Sequence, residues 1–99
     1  MNEIPIPDML RDDPTATRIW HETLNMMPAG HFHPMDAPAL TGYCCCVSLA
    51  GQLWESIRAE GMVIKGKPHP LMKAFNRNNK LTRKLAKALM LPTGAGAAA

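Results

Sequence analysis

Apolar residues return at three- and four-residue steps through most of this chain, the pattern of helices that each bury one face. Ala16, Ile19, Trp20, Leu24 and Met27 form the first such stripe. It opens at Asp12 or Asp13, with Pro14 at the first helical position, where a missing N–H is harmless. Pro28-Ala29-Gly30 closes it, so the spacing predicts a short amphipathic helix.

A second helix is predicted from His33-Pro34-Met35-Asp36 to Gly61, with Pro38 inside its first turn and only Gly42 and Gly51 as interruptions. It is the longest element. Leu40, Tyr43, Cys44, Val47, Gly51 and Trp54 make one stripe, and Cys46, Leu49 and Leu53 a second, roughly opposite. Thr41, Ser48, Gln52 and Glu55 leave only a narrow polar sector. Such a helix must be covered on two sides. The other two helices supply one cover, and another copy of the chain is expected to supply the second, with Cys46, Leu49 and Leu53 as the oligomer interface.

Met62 to Lys67 is short and extended in character, either a loop or a small hairpin arm. A third helix is predicted from His69-Pro70 to about Leu91, stopped by Pro92 and Gly94, with Leu71, Ala74, Phe75, Leu81, Leu85, Ala88 and Leu89 on its buried face. Asn78 falls in the middle of that face, either as a buried amide that fixes register or at a solvated bend.

The fold class that follows is all-α: a three-helix protomer with a long central helix. Residues 1–12 read as an extended arm, 13–92 as the helical oligomerisation and binding domain, and 93–99 as a disordered Gly/Ala tail. With 99 residues there is room for one domain, and aromatic residues at 5% with eight Met suit helices better than a β-sandwich. A chain this short buries only about 60–65% of its extended surface, which again favours self-association. The acidic, proline-broken start is unlike a signal peptide, and no apolar run reaches the roughly 18–20 residues that span a bilayer. The three cysteines are consecutive, Cys44 to Cys46, which is no disulfide framework and points to a reducing cytoplasm.

Charge changes the picture most. Before Gly61 the chain has three bases and eight acids, a balance of −5; from Gly61 on it has eight bases and no acid, giving the overall +3. A solvated helix normally intersperses acids, so this asymmetry points to a polyanion or an acidic partner. Lys73, Arg77, Lys80, Lys84 and Lys87, spaced 4, 3, 4 and 3, fall within about 80° of one helix face with Arg83 on its flank. These six are the candidate DNA-binding residues, and five phosphate contacts imply a salt slope of about −4 to −5 per protomer.

Other chemistry is sparse. Three consecutive Cys on a helix point about 100° apart and cannot share one metal. His31 and His33 flank Phe32 without a Cys-x-x-Cys or His-x-x-x-His pair, and His33 and His69 each precede a Pro at a helix start, where capping explains them. No nucleophile elbow, phosphate loop or dinucleotide fingerprint is present, so the expectation is a non-enzyme with no metal and no cofactor.

The order of landmarks resembles a known family. Thr17-Arg18-Ile19-Trp20 is followed by Pro28-Ala29-Gly30-His31-Phe32, Asp36-Ala37-Pro38-Ala39-Leu40, Tyr43-Cys44, Gly61, His69-Pro70-Leu71 and Leu85-Ala86-Lys87-Ala88-Leu89. This series, from Pro14 to Pro92, is similar to the small terminase subunits of tailed bacteriophages. The resemblance implies a non-catalytic DNA-packaging subunit in the host cytoplasm, with a ring-like homo-oligomer, double-stranded viral DNA and the large terminase subunit, whose ATPase and nuclease it regulates, as partners. The chain departs from relatives that close on Leu-Gly-Leu-Thr-Pro and basic residues, reading Leu89-Met90-Leu91-Pro92-Thr93 instead, and it has His33 where Thr is usual. Two other classes suit the same residues: a small dimeric DNA-binding transcription regulator, and an adaptor that docks an acidic protein.

Overall fold

Asp13 sits just before Pro14 and acts as the cap that this order requires: its Oδ1 accepts the Ala16 N–H at 3.0 Å. The helix it opens runs Pro14–Met26. In the computed structural model, which describes residues 4–92, the elements in order are α1 (Asp8–Arg11), α2 (Pro14–Met26), a 3-10 turn (Pro34–Asp36), α3 (Ala37–Glu60), β1 (Val63–Ile64), β2 (Lys67–Pro68) and α4 (Met72–Ala88). The protein is thus mostly helical, and α2, α3 and α4 are the three helices predicted from spacing. The tail assigned to 93–99 and the first three residues of the arm lie outside the described residues.

Two elements depart from expectation. Of the arm, residues 4–7 carry no helix or strand, and Asp8–Arg11 then winds into one helical turn with Leu10 buried. Its exposed Arg11–Asp8 ion pair spans that turn, and the Thr17 hydroxyl donates to the Leu10 carbonyl at 2.7 Å. The stretch after Gly61 resolves as a hairpin, Val63 opposite Pro68 and Ile64 opposite Lys67. Its two-residue turn holds Lys65 at φ 51° and Gly66 at φ 77°, the pair of left-handed residues that suits a tight hairpin. For Lys that conformation costs about 1–2 kcal/mol.

α3 is covered on two sides within one protomer. On one, the buried Ser48 hydroxyl donates to Asp13 Oδ2 at 2.7 Å and ties α3 to α2. On the other, α4 packs close: a Cβ on Gly42 would stand 3.3 Å from Leu85 Cδ1, and the Trp54 and Phe75 rings meet at 5.6 Å. Asn78 is buried, and its Nδ2 donates to the Cys46 carbonyl at 2.8 Å. Of the two possibilities for Asn78, the buried register-fixing amide is the one observed. Of the second stripe of α3, Cys46 lies beneath α4 and Leu53 is half-buried, while Leu49 is exposed.

α4 ends at Ala88, short of Leu91. Met90, at φ 56°, reverses the chain, and the Leu91 N–H bonds back to the Ala86 carbonyl at 2.9 Å. The reversal buries both Leu89 and Leu91 beside Leu10, Trp20, Leu24, Phe32, Leu40 and Cys44. His31 Nε2–H donates to the Leu89 carbonyl at 2.9 Å, so the loop after α2 holds the end of α4.

Trp20 is fully buried at the centre of this core, and its Nε1–H has no hydrogen-bond partner among the described residues. Trp20→Ala is expected to lower stability by about 3–5 kcal/mol in denaturant titration. Trp20→Phe is expected to lose less, because it keeps an aromatic ring in the core and the indole N–H it removes has no partner among the described residues. Asp13 supplies a second check. The Ala16 N–H and then the Ser48 hydroxyl favour its carboxylate and hold its pKa below the ordinary value. The stabilisation is complete above the unfolded carboxyl's pKa and is lost as pH falls through the lower, folded value. Asp13→Asn should unfold more easily than the parent at neutral pH, with the gap between them closing in acid.

Candidate nucleic-acid interface

The outward side of α4 follows from its having one helical neighbour along its length. Phe75, Asn78, Thr82, Leu85 and Leu89 turn toward α3 and the core and are half-buried or buried. Lys73, Arg77, Lys80, Lys84 and Lys87 lie roughly opposite, all exposed, and Arg83 is exposed on their flank. Fourteen residues of helix rise separate Lys73 from Lys87, about 21 Å. The six predicted residues are thus brought onto one surface.

Leu81, predicted as buried, is 48% exposed, and Ala74 and Ala88 are exposed too. These three lie about 40–80° off the Asn78 line, beyond the sector that α3 covers. They form an apolar border beside the basic face.

Ion pairing separates the two halves of the chain. Arg11, Arg18 and Arg58 each pair with an acid three or four residues away: Asp8 at 3.3 Å, Glu22 at 3.0 Å and Glu55 at 3.2 Å. None of the eight bases from Lys65 to Lys87 has an ion pair among the described residues. Glu60, the last acid before them, accepts instead from His69, Nε2 to Oε1 at 2.8 Å. His69 Nδ1 accepts the Leu71 N–H at 3.0 Å, so the proton resides on Nε2 and the imidazole holds the turn that leads into α4. This is the turn role expected of His69; at the other proline start, the His33 N–H donates to Asp36 Oδ2 at 2.9 Å.

The residues assigned to self-association are not equivalent. Cys46 is 8% exposed under α4, Leu53 is half-buried, and Leu49 is 43% exposed. Sequence spacing missed the neighbouring surface: Pro7 and Met9 of the arm face Ala37, Pro38, Thr41, Gly42 and Cys45 across a shallow apolar groove. Pro38, Gly42, Cys45 and Leu49 fall along one line of α3. The signal for it was the 4, 3, 4 spacing, masked because the turn that places Met9 there was not anticipated.

Two of the thiols, Cys44 and Cys45, offer little reactivity. Burial, with Cys45 alongside, pushes Cys44 up to about 12, and burial raises Cys45 as well. Among the described residues no group of three or more His, Cys, Asp or Glu is placed to hold a metal. No helix among them is long and apolar enough to cross a membrane.

Fold and surface define a small, mostly helical protein whose distinctive chemistry is an exposed face of unpaired positive charge. The family model described as "Phage terminase, small subunit" matches residues 16–95. The chain belongs to the phage terminase small-subunit family, and its role is in phage DNA packaging. No curated protein matches it, and neither does any solved structure.

Repulsion along the basic face is testable in the free protein. Lys80 stands three residues from Arg77 and Arg83 and four from Lys84. Lys80→Glu turns three like-charge pairs into attractive ones and is expected to stabilise the protein by about 0.5–1 kcal/mol at low salt. Thermal unfolding would show the gain, which should shrink as salt is added.

Proposed function

We propose that this chain is the non-enzymatic DNA-binding subunit of the packaging machinery, with α4 as the surface that lies against double-stranded viral DNA. The observation that carries this reading is the unpaired basic face of α4: Lys73, Arg77, Lys80, Arg83, Lys84 and Lys87, with no acid placed to relieve them. Their spacing supports phosphate contact, which positions a protein without reading sequence. Residues 13–92 act as the oligomerisation and DNA-binding unit.

The protomers associate into a ring-like homo-oligomer through the exposed apolar line that includes Leu49, with Leu53 beside it and Cys46 beneath. Membership in the family supports a ring, because a ring needs each copy to bury one patch on each neighbour. Repetition of α4 around such a ring would turn weak contacts into avidity. Bound to DNA in the host cytoplasm, the ring regulates the ATPase and nuclease of the large terminase subunit. The hairpin and its flanks, from Gly61 to Leu71, lengthen the α3–α4 connection beyond the three- or four-residue turn of a helix–turn–helix regulator, which weighs against a dimeric repressor.

Light scattering with and without a double-stranded DNA fragment, across a salt series, tests this. The expected result is a large homogeneous oligomer whose affinity for DNA falls with a log–log slope of about −4 to −5 per protomer. Replacing Lys80 and Lys84 with Gln should reduce that slope by about 2. A monomer indifferent to DNA would overturn the proposal and favour an adaptor for an acidic protein; a DNA-binding dimer would favour the regulator.

A further inference from the structure

The hairpin Val63–Pro68 contributes little to the core. Met62 is 54% and Val63 68% exposed, Lys65 to Pro68 are all exposed, and only Ile64 is half-buried. Two residue pairs are too few to hold a hairpin by themselves. What holds it is its base: the His69 N–H donates to the Met62 carbonyl at 2.8 Å, while the His69 ring is fixed between Glu60 and the Leu71 N–H. The turn is therefore a braced projection between the end of α3 and the start of α4.

At its tip stands a residue that the turn does not favour. A turn with two left-handed residues prefers Asn, Asp or Gly, and the chain places Lys65 there at φ 51°. The Lys65 side chain makes no hydrogen bond or ion pair among the described residues, and Lys67 makes none either. An unfavourable conformation kept without a local gain indicates that the side chain is wanted for something outside the protomer. Glu60, the acid nearest the hairpin in the sequence, is engaged by His69, and neither ammonium group has an ion pair among the described residues.

We propose that this hairpin is a second DNA-backbone contact, distinct from the α4 face, in which Lys65 and Lys67 bind phosphates of the duplex that lies along α4. The inference rests on the DNA reading of α4. Lysine suits the role, since each ammonium acts as a compact point charge on an oxygen without demanding a fixed planar geometry. The contact is sequence-independent and lengthens the positive surface past the N-terminal end of α4.

The test is a salt series of DNA affinity by fluorescence anisotropy, using the full chain and a short duplex of mixed sequence. Three variants are compared: Lys65→Asn/Lys67→Gln, Lys65→Arg/Lys67→Arg and, on α4, Lys73→Gln/Lys80→Gln. Added to the five contacts of α4, these two steepen the parent slope to about −6 per protomer; their loss should return the Asn/Gln variant to about −4 to −5, and the Arg/Arg variant should keep the parent slope. Thermal unfolding separates binding from folding, because Asn suits the turn better than Lys and should leave the melting temperature unchanged or raised. An unchanged slope in the Asn/Gln variant, with a reduced slope in the α4 variant, would overturn the hairpin contact and leave the α4 reading standing. A parent chain that binds no DNA at low salt would overturn both.

Discussion

Everything on the outside of this protein depends on how α3 is covered. A helix of 24 residues with so narrow a polar sector needs two neighbours, and the chain supplies both from its own ends. α2 is held to it by the Ser48–Asp13 bond and α4 by the Gly42–Leu85 approach and the Asn78–Cys46 bond. Asn78 matters because a buried amide tolerates only the register that satisfies it, so sliding α4 by one turn would strand a polar group in the core. Once that register is set, the direction of every lysine on α4 is set with it. The basic face is therefore a consequence of packing on the opposite side of the helix.

The same arrangement assigns different work to the two ends of the chain. Before Gly61 each base is held in a local pair with an acid, Arg18–Glu22 being typical, which adds little stability, and the surplus acids leave a balance of −5. After Gly61 no acid interrupts the bases, so α4 carries repulsion when the protein is free. That repulsion is borne by the apolar contacts that α4 makes with α3 and by Leu89 and Leu91 in the core. A bound polyanion would relieve it, and binding to the folded state alone adds stability by mass action. Strength in the core and strain on the surface are thus coupled through one helix.

How far this could be read from the residues depends on whether the cause was local. Asp13-Pro14 announces the start of α2 because capping and proline tolerance are properties of adjacent residues. The outward lysines of α4 were legible for the same reason, since their spacing places them without knowledge of any neighbour. Leu81 was not, because its burial turns on how wide a sector α3 covers. The burial of Cys46 was not legible for the same reason, since it depends on α4 lying over it. The α1 turn and Met90 are non-local in a further sense, each existing to deliver a leucine into a core assembled from distant segments.

Among the exposed apolar side chains, two groups bear on how copies would meet. Leu49, Pro38 and Cys45 occupy one line of α3, with Met9 facing its groove from α1, while Ala74, Leu81 and Ala88 border the basic face of α4. Large apolar side chains left at a surface are commonest where something else covers them. Seating a neighbour on the α3 line would dry that groove without requiring any lysine to be buried. Covering the α4 border would instead bring the neighbour against Arg77 and Lys84, at an electrostatic cost that grows as the basic faces converge. Association through α3 with α4 left open is the arrangement that satisfies both the apolar groove and the charge.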